Sequence, residues 1–564
     1  MQPNLPLEET KEKRDGRFIL DYPESELVFG LVYAVGTDYK PVLEYLMDTT
    51  GLSGYSAQEY HISSWFAEIV DRAQLKVALS DAPEYDRISS RIEAGNKIRE
   101  WSTQADFFAL YAASKLFTTR TVDDHEEPVA HKRTAHVFVS LKRPEEVETL
   151  RKIYGPGFFL IGIFADEHER VSFLTNRKGL SENDAWELVE RDQKEKDVPY
   201  GQRTRDTFQM ADVFVGLAKK QYEPALLRFL KLVFGDRFAT PTRDEHSMFL
   251  AYAASLRSGD LSRQVGAALS CADGDVISLG CNDVPAPGGG LYCADHGALD
   301  RRDHVQKADS NDVKKQTIID EMILKFREKF LPTMTEEQIL REARPLLADS
   351  SVADLTEFGR TVHAEMDALM AAGRIGVSFR NSTLYTTTFP CHTCTRHIID
   401  AGVKRVVYIE PYPKSLAKQL HSDAIRVGSD EPEDNRIPFE PFLGIGPRRF
   451  FDLFSLKLSS GYAIERKKDG AMVDWDYRRD AKPRVPMLPT SYLEREQLIS
   501  RNLNEIFPAR NEELIDAERK RDSGEERSRV LEGAGADGQA SRKLARMENR
   551  RAGDSQDTGE QSSG

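Results

Sequence analysis

Four short apolar runs organise the first 240 residues: ELVFGLVYAV at 26–35, AHVFVS at 135–140, GFFLIGIF at 157–164 and ADVFV at 211–215. They are rich in β-branched and aromatic residues and nearly free of charge, the pattern of strands buried on both faces. Helical periodicity lies between them at 40–48, 143–153 and 222–234. Alternating strand and helix predicts a parallel sheet with helices on its faces. Two stretches, 85–99 and 184–206, carry charges at helical spacing and read as solvated helices, the second alternatively as a lid whose arginines reach for phosphates. The pattern restarts after Thr240-Pro241-Thr242, where a boundary is expected. A helix at 244–257 precedes two strand-like runs about an Asp273-Gly274 turn, a hairpin signal. Further on, STLYTTTF at 382–389 and VKRVVYIE at 403–410 flank a helix of about ten residues, again a strand-helix-strand unit with parallel pairing. Between the hairpin and this unit, an insertion at 285–358 opens with PAPGGG and turns helical at 312–331 and 335–347.

These elements predict a division into a polar lead at 1–25, a parallel-sheet domain at 26–240, a second α/β domain at 241–485 and a helical segment at 486–514. The remainder, 515–564, is charged and small with few bulky apolar residues and reads as a disordered tail. Composition adds exclusions. Hydrophobic content of 40% is enough for large cores, and no run approaches the roughly 18 apolar residues of a membrane span. The first residues lack the apolar centre of a signal peptide, so a soluble, cytoplasmic protein is expected. Five cysteines in 564 residues do not make a disulfide framework. A net charge of −14 argues against broad, charge-driven binding to nucleic acid and leaves room for a local basic pocket.

The chemistry concentrates between Thr361 and Ala401. His363 is followed two residues later by Glu365, and Pro390-Cys391-His392-Thr393-Cys394 comes shortly after. With Pro390 starting a helix, Cys391 and Cys394 share its first turn and face the same way. One histidine and two thiolates form the three-ligand set of a catalytic zinc that keeps a position open for water. Glu365 is too close in sequence to His363 to join that tetrahedron and close enough to exchange a proton with the water, which is general acid/base work. A structural zinc site would need a fourth ligand, His392 or His397, and a helix turns His392 away from the thiols. The set matches H-x-E…P-C-x-x-C, the signature of zinc nucleobase deaminases, and the chain resembles the cytidine deaminase fold. On that resemblance Glu365 is the catalytic acid/base, and hydrolysis at C4 of cytosine is the implied reaction.

The flanks extend the resemblance. SLRSGDLSRQVGAALS is similar to the start of deoxycytidylate deaminases, in which an asparagine at the strand end, here Asn282, holds the sugar hydroxyl. Arg257, Ser262, Arg263 and Gln264 match the same helix and loop and are candidates for phosphate, as is Lys414 in PYPKS. Cys281, Cys293 and His296 have irregular spacing, and ordinary buried cysteines are expected there rather than a second, structural zinc. Near the N-terminus the 26–35 strand runs into Gly36-Thr37-Asp38 and a helix, the arrangement of a phosphate cradle. Read as a Walker A loop it is degenerate: Thr37 stands where lysine belongs, Asp38 where the hydroxyl belongs, and Gly30 sits one residue early. Nucleotide binding by Gly30, Gly36 and Thr37 without hydrolysis is the functional reading, and a plain strand-to-helix turn is the other.

A P-loop kinase-like module joined to a deoxycytidylate deaminase module, with PFLGIGPRR after it, resembles the anti-phage dCTP deaminases of bacteria. The resemblance implies conversion of dCTP to dUTP, and of dCMP to dUMP, with depletion of dCTP in antiviral defence. It also implies a homo-oligomer, and restraint through the N-terminal domain by a nucleotide or a small antitoxin RNA. The rivals are a housekeeping dCMP deaminase of thymidylate synthesis, a deaminase of RNA or single-stranded DNA, and a sensing scaffold with an inert deaminase.

Overall fold

Five strands of the first half, Leu27–Tyr33 (β1), Ser56–His61 (β2), Thr134–Val139 (β3), Phe158–Phe164 (β4) and Val213–Gly216 (β5), lie in the order β2-β3-β1-β4-β5 with every neighbouring pair parallel. The computed structural model of the chain describes residues 24–194, 198–347, 350, 352, 355, 358–411, 415–428 and 434–507. Strand β1 is buried along its whole length because it is central and covered on both faces, as its unbroken apolar sequence requires. Lys40–Gly51 (α1) leaves its C-terminal end; Glu84–Ser102 (α2), Phe107–Thr118 (α3), Pro144–Tyr154 (α4), Glu167–Asn176 (α5), Glu182–Lys194 (α6) and Tyr222–Val233 (α7) follow. The 184–206 stretch is thus two helices, α6 and Thr204–Phe208, in place of the single one that its charge spacing suggested. Strand β2, SAQEYH, is a half-exposed edge strand whose polar sequence shows no apolar alternation.

The second sheet has six strands, in the order Ile425–Val427 (β10), Ile437–Pro441 (β11), Arg405–Glu410 (β9), Thr383–Thr388 (β8), Gly266–Ser270 (β6) and Val276–Cys281 (β7). Arg243–Ser255 (α8) leads into the antiparallel hairpin of Gly266–Ser270 (β6) and Val276–Cys281 (β7). Helix α8 starts with a capping box, Thr242 Oγ1 accepting the Glu245 N–H while the Glu245 carboxylate accepts the Thr242 N–H. The insertion forms a hairpin of Ser310–Phe330 (α9) and Glu336–Leu347 (α10) with its own small core of Ile319, Ile323 and Ile339. Ala364–Ile375 (α11), Thr383–Thr388 (β8), His392–Asp400 (α12) and Arg405–Glu410 (β9) make the strand-helix-strand unit, with β8 and β9 parallel as expected. Ile425–Val427 (β10) and Ile437–Pro441 (β11) extend the sheet beyond β9.

The expected boundary at 485 needs correction. After β11 the chain leaves the second sheet, and Gly444–Ile445 (β12) adds antiparallel to β5 of the first. From there Leu453, Tyr477, Ala481 and Val485 enter the core built on β1, α1 and α7. Pro489–Ile506 (α13) brings Glu496 to the guanidinium of Arg120, which also bonds Glu26. The 241–485 stretch was read as one unit because its hydrophobic runs are continuous; a return to an earlier sheet leaves no local trace. The chain is α/β with two helix-covered sheets. Residues 71–75 with 505–507 form a separate small unit in which the Arg72 guanidinium lies 3.9 Å over the Phe507 ring. Expectations for the lead before residue 24 and the tail after 507 fall outside the described residues. Among the described residues no helix is long and apolar enough to cross a membrane.

Candidate active site and metal centre

His363 is the N-cap of α11, so its side chain stands at the helix start and Glu365 lies in the first turn. Two bonds fix that helix against β7: Ser278 Oγ donates to Ala368 O at 2.7 Å, and the Cys281 N–H donates to Asp367 Oδ2 at 3.3 Å. Gly280 makes the approach possible, since a Cβ there would lie 2.2 Å from Ala364 O. Across the site Pro390 precedes α12, whose N-cap is Cys391, with Sγ accepting the Cys394 N–H. His363 Nδ1 lies 3.4 Å from both Cys391 Sγ and Cys394 Sγ. The three donor atoms lie within 4.8 Å of one another. A soft N/S set of this size, at the positive ends of two helices, suits zinc.

The electrostatics follow from burial and proximity. Hydrogen bonding from Cys394 and His363 pulls the Cys391 thiol down to about 4, and the His363 imidazole is held up at about 9 by its bond to that sulfur. Cys394, bonded to Cys391 and buried, is pushed upward. Glu365 is 4% exposed, and burial pushes its carboxyl up to about 7. Its Oε2 is 3.6 Å from Cys394 Sγ.

His363, Glu365 and Cys391 line a cavity of about 220 Å³ together with Asn282 and Arg263. Asn282 Oδ1 accepts the Val265 N–H at 2.7 Å and Nδ2 donates to Arg263 O at 2.9 Å, so this side chain ties down the loop at the mouth. Arg263 meets Glu410 at 3.4 Å. Arg257, expected beside them, is exposed and does not line the cavity: α8 ends at Ser255, and the Arg257 charge acts on Cys281 and Asp367 instead. Lys414 lies outside the described residues. Sequence reasoning missed Asp260, which accepts from Thr361 Oγ1 at 3.1 Å, and Phe389, which forms a wall one residue before Pro390. It also missed Asp309 and Asn311, which come from the insertion and carry no motif.

Two other groups bring possible metal donors together. Cys293 Sγ lies 3.4 Å from His296 Nδ1, but Cys281 does not join them in a donor group. Glu26, His131 and His136 are close enough together for an ion, yet Glu26 Oε1 already accepts from Arg120, the His131 N–H and His136. In the first half Gly36 and Thr37 line a second cavity, while Gly30 lies inside β1, with Leu141 and Phe158 where a Cβ would go.

Comparison with known proteins decides the family. Residues 241–410 match the family described as cytidine and deoxycytidylate deaminase zinc-binding region. The deoxycytidylate deaminase of Enterobacteria phage T2 is 30% identical over 166 residues, 29% of this chain and 79% of that protein. The chain belongs to the cytidine and deoxycytidylate deaminase family. The phage T4 deoxycytidylate deaminase is 29% identical over 171 residues, 29% of this chain and 77% of that protein. The apo dCMP deaminase of cyanophage S-TIM5 aligns with 36% of this chain and all of its own at 18% identity, with a TM-score of 0.20. This hydrolytic deaminase uses zinc, and the His363, Cys391 and Cys394 donors fit that ion.

Proposed function

We propose that the chain deaminates deoxycytidine nucleotides, dCTP to dUTP and also dCMP to dUMP, with release of ammonia, and that its role is depletion of dCTP in defence against phage. The observation that carries the chemistry is the meeting of His363, Cys391, Cys394 and the buried Glu365 at one end of a cavity. His363, Cys391 and Cys394 hold the ion. Zinc, when bound, lowers the pKa of a water towards neutrality. Glu365 takes one proton of the attacking water and gives it to N3 of the base, then takes the proton of the new C4 hydroxyl and gives it to the amino group, which leaves as ammonia as the C4–N bond breaks and the C4 carbonyl forms. A carboxyl poised near 7 can do both at neutral pH, because neither its charged nor its protonated form is scarce. Phe389 and Val265 give the base an apolar wall that excludes bulk water. Asn282, by holding the 263–265 loop, sets where Arg263 stands, and its amide keeps hydrogen-bonding capacity for a sugar hydroxyl.

Phosphate number and biological role rest on the part of the chain that the deaminase match leaves over. Residues 24–240 build the five parallel strands of a sheet to which β12, following β11 of the second sheet, adds a sixth, more structure than deamination of dCMP requires. We read this half as the restraint on the enzyme. The deciding measurement is uracil-nucleotide formation from dCMP, dCTP, CMP, CTP and a cytosine-containing oligonucleotide, with and without EDTA. Turnover of dCTP that EDTA abolishes is the expected result. Turnover of dCMP alone would make the enzyme a thymidylate-supply deaminase, and turnover of the oligonucleotide alone would move it to nucleic-acid editing.

A further inference from the structure

A cavity of about 760 Å³ is in the first half of the chain and shares no lining residue with the zinc site. It opens beside the C-terminal end of β1 and the start of α1, where α2 and α5 come together. Its size is that of sites for whole small molecules. Seven lysine and arginine side chains line it against two carboxylates, Asp38 and Glu84, in a protein of net charge −14. Glu84 is already bonded to Arg87 and also faces Lys178 at 3.3 Å, whereas Lys40 and Arg177 have no carboxylate partner among the described residues. Burial first, and then the charges of Arg87, Lys40, Arg91 and Lys142, push the His61 imidazole down.

Two buried polar groups on the wall have atoms without a hydrogen-bond partner among the described residues: Thr37, 4% exposed, at Oγ1, and Arg99, 3% exposed, at Nε and Nη1. Arg99 spends only Nη2, on Glu146 at 2.8 Å, and its guanidinium lies 4.7 Å over the Phe108 ring; buried polar groups are normally bonded, so a hydroxyl and two guanidinium nitrogens without hydrogen-bond partners beside a large cationic cavity point to a ligand. The Tyr33 and Tyr39 rings, stacked at 4.6 Å and 12°, line the same space and offer a flat apolar surface beside the charges.

We propose that this cavity binds a nucleoside polyphosphate and that lysine and arginine side chains, in place of a divalent cation and a backbone cradle, neutralise its phosphates. The backbone is poorly equipped for that task. Pro41 removes an N–H from the first turn of α1, and the amides of Thr37 and Tyr39 are spent on Ala34 O and Thr37 O. Gly36, at φ +84°, serves packing: a Cβ would lie 2.9 Å from Arg170 O. A divalent ion also lacks ligands, because Glu84 is taken and Asp38 belongs to no donor group among the described residues. The proposal does not depend on which nucleotide the zinc site turns over.

The test is calorimetric titration of the zinc-loaded full chain with ATP, GTP, dTTP and inorganic tripolyphosphate, in magnesium-free buffer and again with magnesium. None of these carries cytosine, so heat from deamination does not interfere. At least one nucleotide binds without magnesium, at least tenfold more tightly than tripolyphosphate. The double variant Lys40→Glu, Arg177→Glu, whose sites are exposed, keeps its circular dichroism spectrum and zinc content and weakens that binding at least tenfold. The proposal is overturned if no nucleotide binds, if binding needs magnesium, if tripolyphosphate binds as tightly, or if the folded double variant binds like the parent.

Discussion

Glu365 is the residue on which the proposed mechanism turns. It is buried against the metal donors without being one of them, so its removal separates metal binding from proton transfer. Glu365→Gln keeps the shape and a hydrogen-bonding end and loses the exchangeable proton. We expect zinc content and thermal midpoint close to the parent and a kcat lower by at least about a hundredfold, the usual worth of a positioned acid/base group. Turnover near the parental rate would remove Glu365 from the mechanism. Cys394→Ser is the converse: the sulfur is 1% exposed and one of three donors, so zinc stoichiometry measured after dialysis should fall well below one per chain. This centre was legible in the sequence because ligands and acid sit on two helix starts within 32 residues, His363 to Cys394. The rest of the cavity was not. Arg257 matches a family position yet sits exposed past the end of α8 and does not line the cavity, and no local pattern reveals that.

Elements hold the centre through one close contact, β7 against α11. Strand β7 carries Ser278, Gly280 and Cys281, all engaged with the first two turns of the helix that bears His363 and Glu365. Gly280→Ala would put a methyl 2.2 Å from Ala364 O and 2.4 Å from Ala368 N, both backbone atoms that cannot swing aside. The helix must then move, at a cost of about 1–3 kcal/mol. A denaturant midpoint lowered with unchanged slope, together with weakened zinc retention, is the expected pair of readings. Loss of stability alone would show that the strain is absorbed away from the metal. Buried strands such as β1 and β4 were readable because both faces are apolar. Strand β2 and the two-residue β12 were not, one being polar and at an edge, the other too short for any periodicity.

At the scale of the whole molecule the two sheets are tied by the chain's return. Glu245 on α8, 1% exposed, accepts from Arg228 on α7, from the Thr242 N–H and from the Ile445 N–H of β12, at 2.5 to 2.9 Å. Beyond it, the Arg449 guanidinium reaches Phe158 O and lies 4.4 Å over the Phe159 ring, so PFLGIGPRR clasps β4 and β5. The first sheet therefore depends on residues more than 200 positions later in the chain, whereas all three metal donors and the strands of the second sheet lie at or before Pro441. A chain ending at Pro441 would strip Ile445, Leu453, Tyr477 and Val485 from the first core and leave the buried Arg120 with Glu26 but without Glu496. Breaking a buried ion pair alone costs about 3–5 kcal/mol, as large as many domains' whole margin. We expect such a chain to lose the cooperative unfolding of the first sheet, read by the tryptophan and tyrosine signals of residues 24–240, while one zinc per chain persists in the same sample. Retention of both transitions would mean that the first sheet stands without its C-terminal cover, and that the clasp serves to hold the two sheets together rather than to complete either.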